Sequence, residues 1–372
     1  MTRHYLDHAS TSPLRPEPRA ALVEALGLEL GDPGRMHEEG LTARALVEQA
    51  REQVAALVGA RGREVVFTSG ATESIAAAVW GASSRGAHQV VPAVEHSAVR
   101  EQAAHTGEVT VVGVDRHGRV DPDEVLAAVR DDTALVHLQW GNHEVGSCQP
   151  VTEVVSRCRD RGVLVHVDAA QAVGHVPVDF VELGADLLSV SAHKFGGPAG
   201  VGALLVRRGL RLPPLLLGGD QERARRAGHE NTASIIAFGA AAASLTDPDR
   251  IGAESAANRR QVRRIVEAAT TIEGVDAYGH PEERLPHIVC LGIAGVEPQP
   301  VLIGLDRAGI AVHSGSSCAS ESLEPSPVLE AMGVDAHRSL RVSVGWSTTD
   351  ADVDALLDAL PRVIADLRAL AG

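Results

Sequence analysis

From about residue 64 the chain alternates short β-rich runs with helical stretches: EVVFT, then 72–84; HQVVP, then 97–105; VTVVGV, then 121–130; ALVHL, then 151–161; then VLVHVD. Apolar runs this short and continuous read as strands buried on both faces, and the helices between them supply the crossovers that parallel pairing requires. The pattern predicts an α/β fold, a mostly parallel sheet with helices on both faces. Two further apolar strands, DLLSVS at 186–191 and GVGALLVR at 200–207, flank a loop that carries Lys194. Ligands of such sheets gather at the carboxyl ends of the strands, and the polar clusters of this sequence fall there.

After about residue 245 the rhythm changes to a long helix near 251–271, a strand HIVCLGI, a helix 298–309, strands IAVHSG and LRVSV, and a closing helix 349–371. This reads as a smaller α/β domain, as expected for 372 residues, more than one core usually holds. No repeat or low-complexity linker separates the parts, so they should pack closely. The expected division is a large domain over 13–245 and a small domain formed by 1–12 with 246–372.

A net charge of −15 without a block of basic residues disfavours direct binding to nucleic acid or to an anionic membrane. The adjacent Arg225 and Arg226 are too few for a polybasic arm and fit a loop that binds phosphate or carboxylate. The opening MTRHYLDHASTSPLRPE lacks the apolar core of a signal peptide, and no run approaches the roughly 20 apolar residues that cross a bilayer. A cytoplasmic protein is expected, and Cys148, Cys158, Cys290 and Cys318, without paired metal spacing, are read as separate thiols.

Three loops that follow strands end in chemistry. In VFTSGATES a turn opens a helix, so the N–H groups around Ala71 and the Thr72 hydroxyl can receive a phosphate; an ordinary N-cap with Glu73 in the first turn is the plainer reading. In VLVHVDAAQ a strand delivers Asp168, whose carboxylate can hold a protonated ring nitrogen, with Gln171 within reach of a ring oxygen; a lone Asp there is more often a cap. In SVSAHKFGGPAGVG, Lys194 follows Ser191 and His193 and precedes a glycine-rich turn, a setting for a buried amine lowered in pKa and nucleophilic toward a carbonyl. Lysine, aspartate and phosphate turn together offer pyridoxal 5′-phosphate a Schiff-base amine, a partner for its electron sink and an anchor.

The sequence resembles the cysteine desulfurases of the class V aminotransferase group, in the subgroup with a long cysteine loop. The segments YLDHASTSPLRPE, VFTSGATES, EHSAVRE, GNHEVGSCQP, HVDAAQAVG, SAHKFGGPAGVGALLVRR, GGDQERARRAGHEN, SGSSCASESLEPSPVLEAMG and SLRVSVGWSTT fall in that family's order across nearly the whole length. The resemblance implies the PLP-dependent transferase fold type I, with a mostly parallel seven-stranded sheet in the large domain and a smaller C-terminal α/β domain. It makes Lys194 the Schiff-base lysine, Asp168 the partner of the pyridine nitrogen and Gln171 a contact of the ring hydroxyl. His96 would stack on the ring and move protons; Ala71, Thr72, Ser191 and His193 would hold the phosphate; Arg341 would clamp the substrate carboxylate.

Cys318 sits in SGSSCASESLEP, a small, polar segment unlike the surroundings of an inert buried thiol. The matching family loop takes sulfur from the substrate and hands it on. Cys158, in a helical stretch, and Cys290, in an apolar strand, read as core residues, and Cys148 falls where the family shows no catalytic thiol.

The departures from the family cluster at the cofactor. Asn142-His143-Glu144 replaces the usual Asn-Asn-Glu, placing His143 beside Asn142 where substrate is expected. His229 stands where a Thr of the neighbouring subunit reaches the phosphate, which implies a homodimer. His8 replaces an Asn, and GDPGR at 31–35 replaces a GNPSS-like stretch. Histidine donates to carboxylate or phosphate, so binding can survive these changes.

The implied activity converts L-cysteine to L-alanine and leaves a persulfide on Cys318 for an acceptor protein. A PLP-dependent C–S lyase or selenocysteine lyase, and a scaffold that binds a sulfur acceptor without turnover, are the alternatives. The sequence leaves the acceptor open among iron–sulfur assembly, tRNA thiolation, DNA sulfur modification and cofactor synthesis.

Overall fold

The computed structural model describes residues 2–315 and 325–371. In chain order its strands are β1 (His4–Tyr5), β2 (Val65–Thr68), β3 (His88–Pro92), β4 (Glu108–Val112), β5 (Thr133–Gln139), β6 (Leu164–Asp168), β7 (Leu187–Ser191), β8 (Gly202–Val206), β9 (Val275–Tyr278), β10 (Ile288–Ile293), β11 (Ile310–Ala311) and β12 (Ser339–Ser343). Seven of them form one sheet in the order β2-β8-β7-β6-β5-β3-β4. Pairing is parallel from β7 to β4 and antiparallel on both sides of β8. Residues 192–201, between β7 and β8, are too few for a crossover helix, so the chain returns antiparallel. The fold is thus the mixed α/β, mostly parallel sheet that the alternation predicts.

Each central strand is buried along its whole length, which is why it reads as an unbroken apolar run; the edge strand β4 is half exposed. Polar side chains nevertheless cross the interior. Gln89 on β3, His137 on β5, His166 on β6 and Ser189 on β7 are buried and joined side to side. Gln89 Nε2 donates to Thr106 Oγ1 at 3.0 Å. Its Oε1 lies 2.9 Å from His137 Nε2, His137 Nδ1 lies 3.1 Å from His166 Nδ1, and His166 Nε2 lies 2.7 Å from Ser189 Oγ. Because an amide oxygen only accepts, His137 carries its proton on Nε2, His166 donates from Nδ1, and Ser189 donates to His166 Nε2. Every nitrogen of this ladder is therefore satisfied.

A second, three-stranded antiparallel sheet runs β12-β10-β9. Val289, Leu291 and Val342 pack there with Val262 and Ile265 of helix Pro248–Ala269, Leu305 of helix Pro298–Arg307, and Leu356 and Leu360 of helix Asp350–Ala371. Leu6 joins this core, and β1 pairs in parallel with β11. The strand expected over IAVHSG is shorter: after β11 a single bridge, His313 opposite Arg341, follows before the chain turns at Gly315, φ +102°. Helices Pro16–Leu26, Glu38–Leu57 and Thr232–Ala243, and β9, add to the elements that the β/α rhythm anticipates. Among the described residues no helix is long and apolar enough to cross a membrane.

The N-terminal segment is clasped onto the loop after β7. Arg15, 1% exposed, donates through Nε to Phe195 O at 2.8 Å and forms two bonds to Glu254, 2.8 and 2.6 Å. Arg15 N donates to Gly196 O and Ser12 N to His193 O, each at 2.9 Å. Position 196 has φ +89°, and a Cβ there would lie 2.5 Å from Arg15 Cγ, so glycine permits this approach.

Candidate active site

The clasp brings residues 9 and 10 against Lys194. A cavity of about 480 Å³ opens at the carboxyl ends of β5, β6 and β7, lined by Ser69, Ala71 and Thr72, by His96, His143, Asp168 and Gln171, by Ser191, His193 and Lys194, and by His313 and Arg341. Residues far apart in the sequence thus meet where a sheet of this type presents its ligands.

Lys194 Nζ donates to Ala9 O at 2.7 Å and Ser10 O at 3.0 Å. Burial and the neighbouring Arg341 guanidinium push the amine down to about 8, against the opposing pull of Asp168 and Asp7. About a tenth of the amine is then neutral near pH 7, far more than for an ordinary lysine, and the neutral form is the one a nucleophilic amine needs. Lys194 is also the only lysine in the chain, so no other side chain offers an amine for a carbonyl.

Asp168 ends β6; one carboxylate oxygen accepts from Ala170 N at 3.0 Å, and burial raises its pKa. A protonated ring nitrogen beside it would restore the anion. Gln171 donates to Ala9 O at 2.8 Å, the carbonyl that also receives Lys194. At the other end, Gly70 caps helix Ala71–Ala82, leaving the first N–H groups of the helix and the exposed Thr72 hydroxyl open to an anion. Glu73 lies in the first turn, where it accepts from Ser69 N at 2.8 Å and pairs with Arg226 at 2.9 Å. Ser191 lines the same end, and His193 Nδ1 lies 3.1 Å from Thr11 Oγ1.

His96 precedes helix Ser97–Thr106 and takes Ala98 N–H on Nδ1 at 3.1 Å, which assigns the proton of the neutral ring to Nε2. Burial, with His143 second, pushes its pKa down to about 3. The rings of His96 and His143 meet edge to face at 5.0 Å, and His143 Nε2 lies 3.5 Å from Glu144 Oε1. Arg341, 3% exposed, donates through Nη1 to His143 O at 2.8 Å and through Nη2 to Asp7 Oδ1 at 3.0 Å and Ser10 Oγ at 2.6 Å; its Nε is buried without a partner.

Two of the expected site residues lie away from the cavity. Asn142 is buried as a turn cap: its Oδ1 accepts from Glu144 N and Val145 N, both at 2.8 Å, and its Nδ2 donates to Val94 O at 3.1 Å. His229 is exposed, near Asp32 and Glu230. Cys318 lies outside the described residues. Cys158 and Cys290 are buried, and burial pushes the Cys158 thiol up to about 11 and the Cys290 thiol up beyond the ordinary range.

Sequence reasoning overlooked Glu95 and His313. Glu95, 1% exposed, accepts from Gln139 N at 2.6 Å, its other oxygen has no partner, and burial with nearby Asp168 pushes it up to about 8, so it holds its proton at pH 7. Its place beside His96 in EHSAVRE was the only signal.

The sequence matches the family model described as Aminotransferase class-V over residues 4–356. The cysteine desulfurase IscS of Dictyoglomus turgidum is 41% identical over 98% of this chain and 95% of that protein. Among solved structures, a NifS-like protein superposes with a TM-score of 0.91 at 29% identity, covering 98% of this chain and 100% of that one. SspA in complex with cysteine gives a TM-score of 0.81 at 26% identity over 92% and 98% of the two chains.

Proposed function

The chain belongs to the aminotransferase class-V family, and from that premise we propose that it is a pyridoxal-5′-phosphate-dependent cysteine desulfurase, converting L-cysteine and the Cys318 thiol to L-alanine and a Cys318 persulfide. The observation that carries this reading is the chain's single lysine, buried in the cavity with its amine lowered to about 8 and Asp168 on the same cavity wall. The residues fit the cofactor: an amine for its aldehyde, a carboxylate for its ring nitrogen and a helix N-terminus for its phosphate. When bound, pyridoxal phosphate supplies an electrophilic carbon and a conjugated ring that takes up the electron pair released at the substrate Cα.

The remaining work falls to side chains. Lys194, when not bonded to the cofactor, would be held by Ala9 O and Ser10 O as a base of suitable strength. His96 Nε2 is the second position from which a proton moves. Arg341 binds the substrate carboxylate. The Cys318 thiolate forms an S–S bond to the substrate sulfur as the Cβ–S bond breaks; the electron pair stays with the carbon skeleton, and protonation yields alanine.

The wider reading includes a homodimer in which His229, remote from its own cavity, serves the partner's phosphate site, with a large domain over 13–245 and a small one of 1–12 and 246–372. It also includes a cytoplasmic location and an acceptor protein for the persulfide. The decisive experiment compares wild type with Cys318→Ser on L-cysteine, measuring alanine, pyruvate and persulfide. The variant is expected to lose alanine formation by several orders of magnitude, since a hydroxyl attacks sulfur far less well than a thiolate. Unimpaired alanine formation would remove Cys318 from the reaction, and pyruvate in its place would make the protein a C–S lyase.

A further inference from the structure

We propose that His313 is a substrate-binding and specificity-determining residue, whose Nε2–H joins Arg341 in holding the α-carboxylate of the amino acid. The inference rests on the reading of the cavity as an amino-acid site.

His313 and Arg341 face each other across an antiparallel bridge and exchange both backbone bonds, Arg341 N to His313 O at 2.7 Å and His313 N to Arg341 O at 3.3 Å. Directly opposed residues of such a pair project their side chains to the same face, with Cβ atoms about 5 Å apart. Both side chains line the cavity. Gly315 N donates to His313 Nδ1 at 3.1 Å, so the neutral ring bears its proton on Nε2, which has no hydrogen-bond partner among the described residues. Burial, then Arg341, lowers the pKa of His313 and keeps the ring neutral, a donor without a second charge.

Arg341 alone is poorly placed for the whole task. Both Nη2 hydrogens are engaged by Asp7 and Ser10 and one Nη1 hydrogen by His143 O, while Nε is the buried donor without a partner, so neither two-donor edge that includes Nη2 is free. A guanidinium grips a carboxylate with two parallel donors from one edge, and here the Nη2 member of the Nε edge is already engaged. A carboxylate that takes Nε–H from Arg341 therefore needs a second donor, and the imidazole on the same face provides one.

The test uses cofactor-loaded wild type, His313→Leu and His313→Gln, titrated with L-alanine and with ethylamine, which lacks only the carboxylate, while the cofactor absorbance is followed. Leucine keeps the bulk and removes the donor; glutamine returns an N–H at similar reach. Loss of a hydrogen bond to a charged group should weaken L-alanine binding to His313→Leu by roughly tenfold to a hundredfold and leave ethylamine unaffected. His313→Gln should recover most of the loss, and with L-cysteine His313→Leu should show a raised KM and a kcat close to wild type. Unchanged L-alanine affinity in His313→Leu, an equal loss for both amines, or a fall confined to kcat would overturn the proposal. If wild type itself shows no amine-dependent change, the amino-acid site falls, and this inference with it.

Discussion

Histidine serves this protein in two regions, inside the large sheet and around the cavity at its edge. His137 and His166 in the sheet, like His96 and His193 at the cavity, are held far below the usual imidazole range mainly by burial. The direction of the shift therefore does not separate structure from chemistry. Saturation does. In the ladder both nitrogens of both rings are bonded to protein. At the cavity, His96 and His313 each spend Nδ1 on the backbone N–H two residues further on, which fixes the ring and leaves Nε2–H for a ligand. One arrangement uses the imidazole as a linear connector between strands, the other as a donor of fixed tautomer.

The sharpest separation of the two regions comes from Lys194→Ala. With no second lysine in the chain, this variant should bind no cofactor reducible by borohydride and should lose turnover by at least about three orders of magnitude. The sheet, which does not touch Nζ, should keep its unfolding midpoint in the apoprotein. A borohydride-stable adduct on the variant, located by mass spectrometry, would break the assignment of the amine.

The ladder should behave in the opposite way. His166→Leu strands His137 Nδ1 and the Ser189 hydroxyl, and leaving buried groups unpaired should cost about 2–4 kcal/mol of unfolding free energy. Turnover per cofactor-loaded molecule should change little. The double variant His137→Leu/His166→Leu should cost less than the sum of the single changes, because the first has already broken the shared bond. Strict additivity in denaturant titrations would mean that the two imidazoles are not coupled.

Much of this architecture is visible in the chain itself, for a physical reason. Strands covered on both faces carry no alternation, so β3, β5, β6, β7 and β8 stand out as continuous apolar runs bounded by turn residues. Asp168 and Lys194 end two of those runs or follow them directly, and were legible for that reason. Contacts made by distant segments were not. Nothing local says that Ala9 and Ser10 hand their carbonyls to Lys194, 185 and 184 positions away, or that Arg15 clasps the same loop. His313 escaped notice because its partner, Arg341, lies on a strand that meets it through one bridge. Asn142 is expected at the substrate from its place beside His143, whereas in the structure its amide is consumed by the turn that presents His143.

The finest distinction between the regions is predicted to vanish in acid. His8, His96 and His166 are held at about 3 and His175 and His193 at about 4, below the ~6.5 of an unfolded chain. As pH falls through 6.5 the unfolded state takes up protons that the folded state refuses, so the stability from each neutral ring is full above about pH 7 and declines toward pH 4. Each contributes a slope of about 1.4 kcal/mol per pH unit within that window. Glu95 works the other way: raised to about 8 in the fold, it favours the folded state increasingly as pH falls toward the ordinary carboxylate range, and offsets about one histidine. In the apoprotein, His96→Gln should therefore lose about 2 kcal/mol less than wild type between pH 6.5 and pH 5, and His166→Leu should show the same narrowing from its lower starting stability. Denaturant titrations at the two pH values measure both. Equal pH slopes in wild type and His96→Gln would mean that His96 is protonated at the cavity, and the donor role assigned to its Nε2 would then need a charged ring.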